Sequence, residues 1–381
     1  MMLVKSVICC VKVPLASIFN KSLQNGVFPD RMKKAKVIHL FKGGDQQEVS
    51  NYRPVSILPQ FSKILEKIFY NRLVKFISKN NVIYESQYGF RQKHSTNLAL
   101  MEMIENISTS FDKNMLTTGI FIDLKKAFDT INHSILLQKL TMYGVRGISF
   151  DWLTSYLSNR SQYVLYNKTE SEDKPISCGI PQGSILGPIL FILYINDLPN
   201  VSQKLKFILF ADDTNVFYSG SSPRDINETM KSELGKMSTW FKVNKLSLNV
   251  TKTNYMIFKN KQNIDSFNIK IDGMEVARIK SAKFLGVLVD ENLCWTDHIN
   301  DVSRKIAKSN GIHIYKVKYL LNSEYLYTLY CSLVLPYLNY ACEIWGNNYE
   351  SRLNGIIILQ KKDYSQCSKI RLSGSYISVV C

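Results

Sequence analysis

Two adjacent aspartates, Asp212 and Asp213, stand between two short β-prone runs. Phe207, Ile208, Leu209 and Phe210 precede them; Val216, Phe217 and Tyr218 follow. Aromatic and β-branched residues favour strands, so the stretch predicts a hairpin with Ala211-Asp212-Asp213 at its tip. Two carboxylates ~4 Å apart repel by about 4 kcal/mol at an effective dielectric of about 20. A bound divalent cation would relieve that repulsion. Water around a plain Asp-rich turn would do the same, since Asp is common in turns.

A third carboxylate lies upstream. Asp123 follows the apolar run Ile120-Phe121-Ile122 and precedes a helix-like pattern. If the two segments are neighbouring strands, Asp123 and Asp212 face each other. Hard oxygen ligands plus substrate phosphates describe a Mg²⁺ phosphoryl-transfer site. A strand-end aspartate taken alone is more often a helix cap. Between the acidic segments runs Gly179-Ile180-Pro181-Gln182-Gly183-Ser184, continuing to Gly187-Pro188. Glycines and prolines at this density set a loop that a ligand can approach closely, or an ordinary turn.

These residues need elements to hold them. A strand is expected over Thr118–Leu124, then a helix over Lys126–Leu140 with Phe128, Ile131, Ile135 and Leu136 on one stripe. Helices are expected over Phe61–Ile77 and Arg224–Lys245, the latter with Pro223 just ahead of it and an apolar stripe from Ile226 to Phe241. An early helical stretch ends at Asn20–Gly26. Strands follow at Asn254–Lys259, Phe267–Ile271 and Ala282–Leu288, and the pattern is helical from His298 to about Leu335. The fold class is therefore α+β: an antiparallel sheet built from hairpins, covered by helices on one side.

Composition narrows the partners. The 381 residues are 45% hydrophobic, enough for a sizeable core and two or three packed subdomains. The formal charge of +17 suits a polyanionic partner, and its dispersal along the chain suits a groove better than a basic tail. Small basic clusters occur at Arg31–Lys36 and Lys259–Lys261. The eight cysteines form no Cys-x-x-Cys pair, so neither a zinc site nor a disulfide framework is expected. Scattered thiols fit an intracellular, non-secreted protein. Ile185–Ile195 and Leu326–Trp345 are too short or too interrupted to span a membrane, and no membrane partner is expected.

The ordered set Asp123/Phe128, Gly179–Pro188 and Phe210–Asp213 resembles the palm of reverse transcriptases. Phe28-Pro29, Ala35–Phe41 and Asn51-Tyr52-Arg53-Pro54-Val55-Ser56 look like that family's fingers. Tyr88-Gly89-Phe90-Arg91, Leu248-Asn249 with Lys252-Thr253, and Lys283–Val287 follow in family order, and Leu335-Pro336-Tyr337 through Trp345-Gly346 look like the thumb. The chain resembles non-LTR (LINE-type) retrotransposon enzymes of the jockey/CR1 kind over roughly residues 15–350.

The resemblance implies a right-hand polymerase with fingers, palm and a partial helical thumb. It implies a division into a fingers extension (1–36), a reverse transcriptase domain (37–289), a thumb-like region (290–350) and an atypical tail (351–381) that a frameshift or a mispredicted exon would explain. Asp123, Asp212, Asp213 and the Leu124 carbonyl would hold two Mg²⁺ ions, with Mn²⁺ as the alternative. Lys252 would be the general acid toward pyrophosphate. Lys42, Arg53, Phe128, Gln182 and Gly183 would contact the nucleotide, with Phe128 excluding a ribose 2′-hydroxyl unless it is simply core. Arg91, Gly179 and Pro181 would contact nucleic acid. The implied partners are an RNA template, a DNA primer or target and dNTPs, in a nuclear or cytoplasmic ribonucleoprotein.

The pattern also departs from the family. His39 stands where a proline is usual, no Cys/His knuckle appears, and the upstream apurinic-type endonuclease is expected to be missing. Two rival readings therefore stand beside the polymerase: a non-catalytic nucleic-acid-binding remnant, and an RNA-templated RNA polymerase.

Overall fold

The computed structural model describes residues 2–258, 268–311, 315–317 and 319–367. The chain runs α1 (Met2–Asn25), β1 (Ala35–Phe41), β2 (Tyr52–Ile57), α2 (Gln60–Lys79), α3 (Thr96–Asp112), β3 (Leu116–Ile122), α4 (His133–Met142) and α5 (Ile148–Leu157). It continues through β4 (Arg160–Tyr166), β5 (Thr169–Glu170), β6 (Lys174–Ile176), α6 (Gly187–Ile195), β7 (Lys206–Phe210), β8 (Asp213–Gly220) and α7 (Pro223–Val243). Next come β9 (Asn254–Phe258), β10 (Lys270–Ile271), β11 (Met274–Glu275), β12 (Ala277–Arg278), β13 (Ser281–Phe284) and β14 (Val287–Asp290). Helices follow to the end of the described residues: α8 (Thr296–Ser309), α9 (Tyr315–Val317), α10 (Ser323–Leu333), α11 (Leu335–Asn339), α12 (Cys342–Trp345) and α13 (Glu350–Cys367).

The central sheet has the order β12-β9-β3-β8-β7, antiparallel except for the β12–β9 pair. Alternation along its strands splits the apolar residues between two cores. Ile120, Ile122, Val216 and Ile257 pack with α2, α4, α6 and α7. Phe217, Ile208, Met256 and Phe258 pack with α3, the β13–β14 hairpin and the C-terminal helices. The expected one-sided cover is thus corrected: both faces are buried. Consecutive apolar residues in β7 and β8 carry this outcome, because neighbours on a strand point to opposite faces.

The expected helix over Lys126–Leu140 is also corrected. It begins only at His133, where the Asn132 side-chain oxygen accepts the Ile135 N–H at 3.1 Å. Residues ahead of it form a turn through Lys126 at φ +47°. The carbonyls of Phe128 and Ile131 accept N–H groups of Ile180 and Gly179 instead of bonding within a helix. Ala282–Leu288 is a hairpin rather than one strand. Leu285 and Gly286, at φ +45° and +88°, make its two-residue turn.

Other expectations match. Helices α2 and α7 occupy the expected stretches, and β7–β8 turns at Ala211-Asp212. Ile185–Ile195 yields α6, a nine-residue helix buried along nearly its whole length. No described helix is long and apolar enough to cross a membrane. Cys10, Cys178, Cys294, Cys331 and Cys342 are free thiols. The cluster 259–261, the start of the strand expected at 267, and residues 368–381 of the expected tail lie outside the described residues.

A second sheet, β2-β1-β4-β5 with β6 on β4, stands beside the first. It meets the central sheet's loops where the Ser56 N–H donates to the Gln182 carbonyl at 2.7 Å.

Candidate active site

Ile122 of β3 pairs with Thr214 of β8, so the same register carried one residue further sets Asp123 across from Asp213. Both line a cavity of about 360 Å³, together with Phe121, Asn215, Lys252, Asn254 and the β13–β14 hairpin. Crowding by the cavity walls, then the charges of Asp212 and Asp123, push the Asp213 carboxyl up to about 6, although the residue is open at the cavity mouth. Asp212 is exposed at the hairpin tip.

Asp123 is held from a third segment. Asn249 Nδ2 donates to Asp123 Oδ2 at 2.7 Å, and the Asn249 N–H donates to the Asp123 carbonyl at 2.9 Å. Leu124 bridges Leu248, with the hydrogen bonds made by the flanking residues. The Leu124 carbonyl therefore points away from that bridge.

The hairpin tip has its own clamp. Tyr88 N–H donates to the Leu209 carbonyl at 2.8 Å, and Leu209 N–H donates to the Ser86 carbonyl at 2.9 Å. Between them Gln87, 1% exposed, turns its Oε1 to the N–H groups of Gly89 (2.9 Å) and Ala211 (3.2 Å). Ala211 sits at φ +54°, and a Cβ on Gly89 would fall 2.3 Å from its nitrogen. Glu102 of α3 secures the same loop by accepting the hydroxyls of Ser86 and Tyr88.

The Gly179–Pro188 loop is tied on both sides. The His133 ring Nε2 donates to the Gly179 carbonyl at 2.7 Å, and Gln182 Nε2 donates to Asp129 Oδ1 at 2.9 Å. Gly183 adopts φ +129°, and a Cβ there would lie 2.4 Å from the Ser56 carbonyl oxygen. Buried Glu66 accepts the Ile185 N–H at 2.8 Å and the Leu186 N–H at 3.4 Å, at the start of α6.

A cavity flanked by strand-end carboxylates, beside a loop held to a second sheet, is the arrangement that the motifs anticipate. The family model described as "Reverse transcriptase (RNA-dependent DNA polymerase)" matches residues 33–289. The chain belongs to the reverse transcriptase family. It is 30% identical over 354 residues to the probable RNA-directed DNA polymerase from transposon X-element of Drosophila melanogaster, covering 91% of this chain and 38% of that one. It is 28% identical over 366 residues to the RNA-directed DNA polymerase from mobile element jockey of the same species, covering 93% and 40%. The chain thus spans about two-fifths of the length of the curated relatives it matches. The resemblance to non-LTR elements of the jockey kind is borne out. A solved apo telomerase from Candida tropicalis, truncated from its C-terminal domain, is similar with 14% identity and a TM-score of 0.47, over 69% of this chain and 54% of that one.

In this family member the central antiparallel sheet, covered by helices, is the palm of the right-hand fold. Lys252 shares the palm cavity with Asp123 and Asp213. Lys42 and Arg53 are exposed on the β1–β2 hairpin and do not line that cavity. Phe128 is half-buried, its ring stacked on Phe191 at 4.6 Å. Arg91 Nη1 donates to the carbonyls of Tyr84, Glu85 and Gln87 at 2.9, 2.9 and 3.0 Å, holding the loop that clamps the tip.

The donor set suits a hard divalent ion: carboxylate oxygens and a backbone carbonyl, with mutual repulsion that a cation would relieve. The family generally uses such metals. Among the described residues no three His, Cys, Asp or Glu side chains are gathered closely enough to hold one. Sequence reasoning missed Gln87, Asp129, His133 and Glu66 as positioning residues, and read Asn249 only as part of a motif. The signal for Gln87 was present, since it directly precedes the Tyr88–Arg91 block.

Proposed function

We propose that this chain is the RNA-directed DNA polymerase of a jockey-like element, extending a DNA primer with dNTPs on an RNA template. The reading rests above all on Asp123 and Asp213 sharing one cavity with Lys252, beside the clamped Asp212 tip. Asp123, Asp212, Asp213 and the Leu124 carbonyl would hold two Mg²⁺ ions, with Mn²⁺ as the alternative. Bound there, the ions would activate the primer 3′-hydroxyl and stabilise the departing pyrophosphate.

The chain's own residues supply position. Asn249 fixes the Asp123 carboxylate, and Gln87 fixes the backbone leading into Asp212. Lys252, in the same cavity, would pass a proton to pyrophosphate. Gln182 and Gly183, braced by Asp129 and Ser56, offer backbone to the nucleotide and template, and Gly179 and Pro181 shape the same loop. Arg53 and Lys42 reach for the triphosphate from the fingers, and Phe128 rejects a 2′-hydroxyl. A net charge of +17 holds the hybrid mainly through its phosphates. Such work would take place in an intracellular ribonucleoprotein, nuclear or cytoplasmic.

The test is Mg²⁺-dependent primer extension on poly(rA)/oligo(dT), beside Asp123→Ala and Asp212→Asn. Wild type should extend with dNTPs, and both variants should lose synthesis while keeping RNA binding. Incorporation of rNTPs in place of dNTPs would point to an RNA polymerase. Salt-sensitive RNA binding without any extension would identify a remnant that binds only.

A further inference from the structure

A second cavity, of about 580 Å³, lies between α2 and the loop that clamps the hairpin tip; Tyr70, Ser78, Glu85, Phe90, Arg91 and Ile189 are among its walls. Phe90 is its unusual member. Its backbone is left-handed at φ +53°, which is unfavourable for a bulky side chain. The residue is nevertheless 54% exposed, so the strained backbone returns little burial. Strain of this kind, held by neighbours that over-determine it, points toward function. The neighbours are explicit here: Gly89 is wedged against Ala211, and Arg91 is bound to three carbonyls of the same loop.

The lining describes the ligand. Arg91 spends its Nη1 on backbone carbonyls, and Glu85 contributes a carboxylate, so the cavity is a poor seat for a phosphate. The lining combines aromatic Phe90 and Tyr70, the latter with Lys67 Nζ 4.5 Å from its ring centroid, with apolar Ile189 and polar Ser78 and Glu85, a mix that suits a neutral, flat, hydrogen-bonding group stacked on Phe90. A nucleobase has that chemistry, and stacking on an exposed aromatic is how single strands are commonly held. Position agrees. The carboxylate cavity is walled by β9 and the β13–β14 hairpin, whereas the clamping loop bonds to β7 at the opposite edge of the sheet. A strand still to be copied, approaching the tip from that edge, passes Phe90.

We infer that this cavity receives an unpaired base of the uncopied template strand, stacked on Phe90. The identity of the strand rests on the polymerase reading; the cavity's preference for an unpaired base does not.

The test is equilibrium binding of labelled RNA–DNA duplexes, blunt or with a template overhang of about six nucleotides, in the absence of dNTPs and divalent metal. Wild type should prefer the overhang. Phe90→Ala should lose at least about fivefold of affinity for the overhang and none for the blunt duplex, and Phe90→Trp should retain the preference. A 2-aminopurine scanned through the overhang should be quenched at one position in wild type and not in Phe90→Ala. Equal overhang binding by Phe90→Ala and wild type, with both melting alike, would overturn the inference, as would an abasic scan in which no overhang base matters. Overhang preference in a protein that makes no DNA would leave this site standing and sink the polymerase reading.

Discussion

Asn249 grips Asp123 twice, through its side-chain amide at 2.7 Å and its backbone N–H at 2.9 Å. One bond orients the carboxylate and the other fixes the chain that carries it. Asn249→Ala keeps the backbone bond and frees the carboxylate to turn. Primer extension should fall about 10- to 100-fold, with a raised Mg²⁺ requirement and unchanged RNA binding. Wild-type kcat across a Mg²⁺ titration would show the side-chain bond to be incidental.

Gln87 is the corresponding support for the hairpin tip. Gln87→Met conserves volume but leaves the N–H of Ala211 without its acceptor. The expected loss is about 1–3 kcal/mol of stability, with a fall in kcat beyond what the folded fraction explains. Gln87→Glu keeps an acceptor and should recover part of both. Denaturant melts beside single-turnover extension separate the two effects.

Crowding at the cavity, then repulsion from Asp212 and Asp123, makes the ionised Asp213 unfavourable in the metal-free palm at neutral pH. Asp213→Asn should therefore raise metal-free stability by about 1 kcal/mol, a figure reduced for solvent screening. Mg²⁺ should raise the wild-type melting temperature and have little effect on the variant. Identical Mg²⁺ responses would remove the aspartates from the metal reading.

His298 makes acid stability a separate matter. It is 3% exposed and packs its ring edge-on against Trp345. Its Nδ1 accepts the Leu288 N–H, and its Nε2 has no partner among the described residues. Burial, then the nearby Lys305 charge, lower its pKa to about 4 against a partial offset from Asp301. The unfolded imidazole takes up a proton first, so stability present above about pH 6.5 is lost as pH falls toward 4, by up to about 3 kcal/mol. His298→Phe should flatten that slope in urea melts taken from pH 7.5 to 4.5.

Phe128 stacks on Phe191, yet it lies one residue before Asp129, which binds Gln182. If Phe128 excludes a 2′-hydroxyl, Phe128→Val and Phe128→Ala should raise rNTP use about tenfold or more relative to dNTPs. If they only lower stability, the ring is core alone.

Local chemistry was legible where one segment decides its own shape. The stripe of Ile226, Met230, Leu234, Met237 and Phe241 makes α7 readable, and the aromatic runs around Asp212 make β7–β8 readable. Periodicity misled at Phe128 and Ile131. Their three-residue spacing mimics a helix, but loop N–H groups from Gly179 and Ile180 take their carbonyls.

Residue type and order by themselves determined the reverse transcriptase kinship, the three candidate carboxylates and the hairpin that presents two of them. Those properties are local: each is set by side chains a few positions apart. Only the tertiary structure decided that Asp123 stands across from Asp213, that Asn249 braces Asp123 and Gln87 braces the hairpin tip from distant segments, and that Arg91 ties the clamping loop together. Those relations join residues far apart in the chain, and strand register and buried hydrogen bonds fix them only once the sheet has closed.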